Sequence, residues 1–323
     1  MPIRVPDYFL KFQCIADKCH ESCCIGWEID IDDVTRAKYE ALDTPLGEEI
    51  RDKTSHGCFP LTKNGRCAFL DGKGLCRIIS ALGDGYLCDI CREHPRYYGV
   101  GDGIFEGGLG LGCEEAARII LLLKELPELI EIERDIPYYD EDAFAQLSAD
   151  MRSSLYRHIF TADIDALANV YKEYAIIADD AAFDASTGGA GISIPDITPT
   201  PIESDALTDI YDGIVDLLSE CEALSEEWED TVKAVREVKA SEVLALLDEK
   251  RGLIYYFTHR YVRECVADMT FGQRIIFALG SALVIAAMSS VVNSDVRAAL
   301  LYSKNVEYST DNVDYILDNI EIV

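Results

Sequence analysis

Ten of the twelve cysteines in this 323-residue chain fall between Cys14 and Cys113. The first group is Cys14-x4-Cys19-x3-Cys23-Cys24, just ahead of Trp27, and the second is Cys67-x8-Cys76, followed by Cys91-Arg-Glu-His-Pro-Arg96 and Cys113. Thiolates this close in sequence can meet at a metal with little loop-closure entropy. They suit zinc and iron–sulfur clusters equally, so residue type leaves both open. The ligand candidates are Cys14, Cys19, Cys23, Cys24, Cys67, Cys76, Cys91 and Cys113. Vicinal Cys23 and Cys24 have diverging side chains, so they can serve two centres, or one of them can be a reactive thiol. Cys58 and Cys88 stand between ligand and buried apolar thiol, while Cys221 and Cys265, alone in helical patterns, read as apolar core thiols. His20 and His94 read as hydrogen-bonded structural histidines, with ligation or support of a ligand as their other role.

Thiolate chemistry needs a reducing compartment and a scaffold. Residues 1–10 lack the charged segment and apolar stretch of a secretory signal, which predicts a cytoplasmic protein and argues against a disulfide framework. A hydrophobic content of 49% is enough for a sizeable core. The formal net charge of -30, from 59 acidic and 29 basic residues, repels nucleic acid and anionic membrane surfaces and attracts lysine-bearing partners. The uncharged stretch 275–292 is long enough for a membrane span of roughly 17–25 residues. Gly280, Ser281, Ser289 and Ser290, and the lack of strong basic flanks, favour a buried core helix instead.

The periodicities predict a mainly α fold in which a Cys-rich lobe with short strands and a β-hairpin, residues 1–126, adjoins a larger helical part, 127–323. Residues 27–32 alternate like a strand, and Asp32 or Asp33 caps a helix running through Tyr39 and Leu42. Turn signals at Lys63-Asn-Gly65 and Asp71-Gly-Lys-Gly74 bracket Cys67, and Gly83 stops a short helix that begins near Cys76. Residues 96–106 read as a hairpin, and Cys113 precedes a helix with acids in its first turn, whose dipole favours a thiolate at Cys113. Helix is predicted over 141–179, a Gly/Pro-rich loop over 187–201, and helices again from Ala206. Leu217, Cys221, Leu224 and Trp228 are spaced as one face, and Leu253, Tyr256, Phe257 and Tyr261 as another. Gly99-Val-Gly-Asp-Gly103 lacks the strand–loop–helix context of a dinucleotide site, and no Walker, Gly-x-Ser-x-Gly or His-Glu-x-x-His motif is present.

Phe12-Gln-Cys-Ile-Ala-Asp-Lys-Cys-His-Glu-Ser-Cys-Cys-Ile-Gly-Trp27 closely resembles the opening of the flagellin lysine-N-methylase (FliB) family, part of a wider group with a Cys-rich zinc- or iron-chelating motif. Cys67-Ala-Phe-Leu70, Gly74-Leu-Cys-Arg-Ile78, Cys91-Arg-Glu-His-Pro-Arg96 and Cys113-Glu-Glu-Ala-Ala-Arg118 are similar to its later motifs, in order. Trp228, Tyr255-Tyr-Phe-Thr-His-Arg-Tyr261, Asp268 and the apolar helix after Arg274 resemble its helical half. Glu114 departs from the Cys-Pro of many relatives. The resemblance implies methyl transfer from S-adenosylmethionine to protein lysines, with flagellin as substrate and a [4Fe-4S] cluster as cofactor.

The cysteine spacing is not the Cys-x3-Cys-x2-Cys of most radical S-adenosylmethionine enzymes, so it gives no sign of radical chemistry, and a neutral lysine amine can attack the sulfonium methyl directly; radical and direct transfer both stay open. Arg96 is the cosubstrate-binding candidate, holding a carboxylate or offsetting cluster charge. Tyr97, Tyr98, Glu106, Tyr255, Tyr256, His259, Arg260 and Asp268 are substrate-site candidates, each with a structural role as the alternative, Arg260 and Asp268 by pairing with each other or with neighbouring helices. Two rival readings are a non-enzymatic zinc-stapled module and an iron–sulfur redox or radical enzyme acting on another substrate.

Overall fold

The structure, a computed structural model, describes residues 2–101, 104–133, 145–186, 194–263 and 270–322. The elements run β1 (Pro2–Pro6), β2 (Ile29–Asp30), α1 (Asp33–Glu40), α2 (Pro45–Lys53), β3 (Cys58–Phe59), α3 (Arg77–Leu82), α4 (Asp89–Glu93), β4 (Arg96–Gly101), β5 (Ile104–Leu109), α5 (Glu114–Leu121) and β6 (Leu129–Glu133). Helices then follow: α6 (Ala145–Ile159), α7 (Ile164–Ser186), α8 (Ser204–Glu220), α9 (Glu226–Val235), α10 (Ala240–Asp248), α11 (Arg251–Tyr261), α12 (Phe271–Val292), α13 (Asp295–Tyr302) and α14 (Thr310–Asn319). The mainly α expectation holds. The chain divides into a Cys-bearing unit, Gln13–Tyr97 with Cys113–Glu115, and a helical unit, Met1–Phe12, Tyr98–Gly112 and Ala116–Val323. Composition had placed all of 1–126 in the Cys-rich lobe. Backbone pairing draws the N-terminal strand and the hairpin from Tyr98 onward into the helical unit instead, because β1 lies between β5 and β6 in a sheet of order β4-β5-β1-β6.

The Cys-bearing unit is built from turns around a small apolar core of Ile29, Ile31, Tyr39, Ile50, Phe59, Phe69, Ile78 and Cys88. Asp32 caps α1 through Thr35 N at 2.8 Å, and its other oxygen accepts Asp89 N at 2.9 Å, so one carboxylate fixes the start of α1 and the start of α4. The Thr62–Gly65 turn closes at 2.9 Å with Gly65 at a φ of 68°, a conformation glycine adopts without strain. Asp71 Oδ1 accepts the amides of Lys73 and Leu75, which bends the chain so that Leu70 faces Cys76.

In the helical unit α12 is the hub, touching α7, α8, α9, α10, α11, α13 and α14. It is long and apolar enough to cross a membrane by length and composition, and from Phe271 to Ser289 every residue but Gln273 is buried among its neighbours. Two expectations are corrected here. The stretch 141–179 is two helices rather than one, with 141–144 outside the described residues. Arg251 Nη1 donates to the carbonyls of Ile159 and Ala162, at 2.8 and 2.7 Å, satisfying the end of α6 before α7 begins. Leu217, Cys221, Leu224 and Trp228 do not form one face, because Ser225 caps a new helix through Trp228 N at 3.2 Å and leaves Leu224 exposed. The loop 187–201 has no regular element over 194–201, and 187–193 lie outside the described residues.

Candidate metal centre

The turns and short helices bring all eight ligand candidates into the Cys-bearing unit. Cys23 and Cys24 have their sulfurs 3.9 Å apart. On the Cys23 side, Cys14 and Cys113 are close enough to act on its charge, and Cys113 acts on Cys19 as well. On the Cys24 side, Cys67, Cys76 and Cys91 all feel Cys24. Cys88 also belongs here: it hydrogen-bonds Cys91, caps α4 by position and is fully buried. Its Cys88-x2-Cys91 spacing is the signal in the sequence that marks it beside the eight. The Cys23 thiol donates to Cys24 and brings Cys24 down to about 7, while Cys23 itself is raised. Within Cys88–Cys91 the same exchange lowers Cys88 and raises Cys91. Cys58 lies instead 4.0 Å from Glu28 on β3, Cys221 is buried in the helical unit, and Cys265 lies outside the described residues.

Glu114 proves to be the organiser of the first loop. Its Oε2 accepts His20 N at 2.6 Å and Glu21 N at 3.2 Å and lies 3.5 Å from Cys19 Sγ, and its Oε1 meets His20 Nδ1 at 3.0 Å. Burial raises its pKa, but these hydrogen bonds outweigh burial and bring it to about 2. Burial, then the Glu114 charge, pushes Cys19 up to about 12. His20 is therefore a structural partner of Glu114, and His94 stacks at a tilt on Trp27, centroids 6.2 Å apart. Arg96 opens β4 just beyond His94, half-buried.

The thiols suit a thiophilic metal in type and number. Among the described residues, however, no three His, Cys, Asp or Glu side chains are arranged as a finished metal site. A centre here would draw the paired thiols further together.

The substrate-site candidates separate. Glu106, Tyr255 and His259 meet within the helical unit, joined by Arg152 and Tyr156 of α6, two residues that periodicity had marked only as helix. Glu106 Oε2 accepts from Arg152 Nη1 at 2.7 Å with both side chains buried. His259 Nε2 lies 3.2 Å from the Gly107 carbonyl, which can only accept, so Nε2 carries the proton and Nδ1 accepts the Tyr156 hydroxyl at 3.1 Å. Burial first, and then Arg152 and Arg263 against Glu106, hold His259 down to about 4, so it is neutral at pH 7. Tyr256 and Arg260 turn to Glu307, at 2.6 and 3.1 Å, a pairing of Arg260 with a neighbouring element, and Asp268 lies outside the described residues. Tyr98 packs on Phe9, and Tyr97 belongs to the Cys-bearing unit. Gly99 lies within β4, where a Cβ would lie 2.5 Å from the Arg263 guanidinium.

No family model and no solved structure matches the chain. Over 129 residues it is 32% identical to proteins named lysine-N-methylase from Salmonella typhimurium and Salmonella choleraesuis, covering 37% of this chain. The chain spans 32% of the length of these two relatives. It is also 30% identical over 132 residues to the flagellar biosynthetic protein FliU of Salmonella muenchen, covering 37% of this chain and 76% of that protein. On this relationship, the chain belongs to the flagellin lysine-N-methylase (FliB) family.

Proposed function

We propose that this protein is a protein-lysine N-methyltransferase that takes its methyl group from S-adenosylmethionine and acts on accessible lysines of a protein, flagellin first among them, in the cytoplasm. The observation that carries this reading is the sequence relationship to the lysine-N-methylases. The thiol-lined loops support a resident [4Fe-4S] cluster, with zinc as the other metal such donors take. Cys14, Cys19, Cys23 and Cys113 are one set of candidate holders, and Cys24, Cys67, Cys76, Cys88 and Cys91 the other. A cluster bound there would supply Lewis-acidic iron able to hold amino and carboxylate groups.

The protein's own task is set by the lysine. A free lysine has a pKa near ~10.4 and is almost wholly protonated at pH 7, so its lone pair must be uncovered before it can displace a methyl group from a sulfonium. Desolvation and nearby positive charge favour the neutral amine, and alignment of amine, methyl and sulfur lowers the barrier further. The net charge of -30 draws lysine-bearing surfaces and repels nucleic acid and anionic membranes.

The test is anaerobic purification, then assay of iron, acid-labile sulfide and zinc, then incubation with S-adenosylmethionine and flagellin followed by mass spectrometry of lysine peptides. About four irons and four sulfides per chain and methylated lysines are expected. Stoichiometric zinc in colourless protein that accepts no iron or sulfide would remove the cluster. Unmodified lysines from metal-replete protein would remove the methyltransferase.

A further inference from the structure

Glu106 sits mid-strand on β5 with no exposed surface, and its two oxygens are treated differently. Oε2 takes the Arg152 guanidinium, whereas Oε1 accepts no hydrogen bond among the described residues. A buried carboxylate oxygen left bare is costly and demands a donor. His259 does not supply one, since its Nε2–H goes to Gly107 and its Nδ1 is itself an acceptor. Beside it, His259 stacks on Tyr255 at 5.6 Å and 9°, and Tyr255 meets Tyr156 at 5.4 Å, a continuous run of rings from the buried His259 to Tyr156. Tyr156 is its half-exposed member.

We propose that Glu106 Oε1 receives the neutral ε-amine of the substrate lysine, with its alkyl chain along Tyr156 and Tyr255. This rests on the methyltransferase reading above. The neutral form is selected because Arg152 already balances Glu106, and Arg152 and Arg263 both oppose a further positive charge at this place, as they do at His259. The ammonium gives its proton to water before the amine seats. One N–H then donates to Oε1 and the nitrogen lone pair stays free. That pair forms the N–C bond to the sulfonium methyl of S-adenosylmethionine, and the C–S bond breaks with its electrons passing to sulfur. The products are a methylated ammonium and a thioether.

The experiment is an NMR titration of the metal-replete protein with n-butylamine, butyltrimethylammonium and S-adenosylmethionine between pH 7 and pH 9, on the unmodified chain and on Glu106→Gln. Apparent butylamine affinity should rise about tenfold per pH unit, following the neutral fraction. The quaternary ion, which has no N–H, should not compete. Glu106→Gln should weaken butylamine by about tenfold or more and leave S-adenosylmethionine unchanged. Four results overturn the proposal: a quaternary ion that binds as well as the amine, a pH-independent affinity, an unchanged Glu106→Gln (an ordered water only at Oε1), or a loss confined to S-adenosylmethionine, which would give the site to the cosubstrate's α-amine. If Glu106→Gln does not fold, the comparison of primary with quaternary amine on the unmodified chain decides alone. Glu106-dependent amine binding in a protein that methylates no lysine would sink the methyltransferase reading and keep the receptor.

Discussion

Replacing Arg152 by Met would leave the Glu106 carboxylate buried without its counter-charge. At the 2.7 Å separation of Glu106 Oε2 and Arg152 Nη1, Coulomb attraction is roughly 6 kcal/mol at an effective dielectric of 20. The cost of stripping water from both ions offsets much of that attraction. What the single substitution exposes is the uncompensated anion, and losses of about 3–5 kcal/mol are typical. The chain has two tryptophans, Trp27 in the Cys-bearing unit and Trp228 buried in α9 of the helical unit. In a Trp27→Phe background, fluorescence during urea unfolding therefore reports the helical unit alone. Arg152→Met should move the midpoint down by about 1–2 M, given a slope near ~3 kcal/mol/M. Adding Glu106→Leu to Arg152→Met should restore most of the loss, because an apolar pair has no charge to desolvate. Arg152→Met should also be less destabilised in acid, where Glu106 takes up a proton. A midpoint shift below about 0.3 M for the single variant, or a double variant weaker than the single, would refute the assignment of a charged, mutually dependent pair.

His259 titrates near 4 when folded against about 6.5 when unfolded, so the unfolded chain binds the extra proton between those values. Stability from this group is fully present above pH 6.5 and is lost as pH falls toward 4, about 3 kcal/mol in all, and His259→Gln should flatten that part of the pH–stability curve. Gly252→Ala places a Cβ 1.9 Å from the Ile120 carbonyl oxygen, a backbone atom, and should cost about 1–3 kcal/mol or more by thermal unfolding. Gly213→Ala in α8, with nothing within 4 Å, should instead gain about 0.5–1 kcal/mol. Glu114→Ala should speed hydrogen exchange at the His20 and Glu21 amides by on the order of tenfold or more, and unchanged rates would mean that the carboxylate does not hold the loop. Asp32→Ala should lower the urea midpoint of the Cys-bearing unit, read from Trp27, by the ~1 kcal/mol of a lost N-cap and more if the Asp89 amide stays unsatisfied.

The Cys-bearing unit was largely legible, because its structure is local. Asp32 as a cap, the glycine turns at Gly65 and Gly74 and the stop at Gly83 each act within a few residues. The helix α11 was legible for the same reason, but Leu253, Tyr256, Phe257 and Tyr261 are not a separate face, since every residue from Gly252 to His259 is buried. What escaped was long-range. β1, bracketed by Pro2 and Pro6, gives little pattern of its own and is made a strand by β5 and β6, about a hundred residues away or more. The boundary between α6 and α7 depends on Arg251, far along the chain. Glu114 looked like a departure from a motif, and only folding brings it to His20 and Glu21. Arg152 and Tyr156 carry no motif, and their meaning comes from Glu106 and His259 across the helical unit.

The order of synthesis gives the division of the chain a further meaning. Residues 13–97 emerge as one uninterrupted piece, and Cys113–Glu115 completes that unit while about two hundred residues of the chain are still to be made. The helical unit runs the other way: its strand β1 precedes the Cys-bearing residues and must wait for β5 and β6, and its central helix α12 follows long after them. The thiols are thus assembled, and open to a metal or to oxidation, during a window in which the helical unit does not yet exist. Maturation of the two halves is therefore separable in time, and a shortage of metal during translation would strike a nascent chain before any of its helical core had formed.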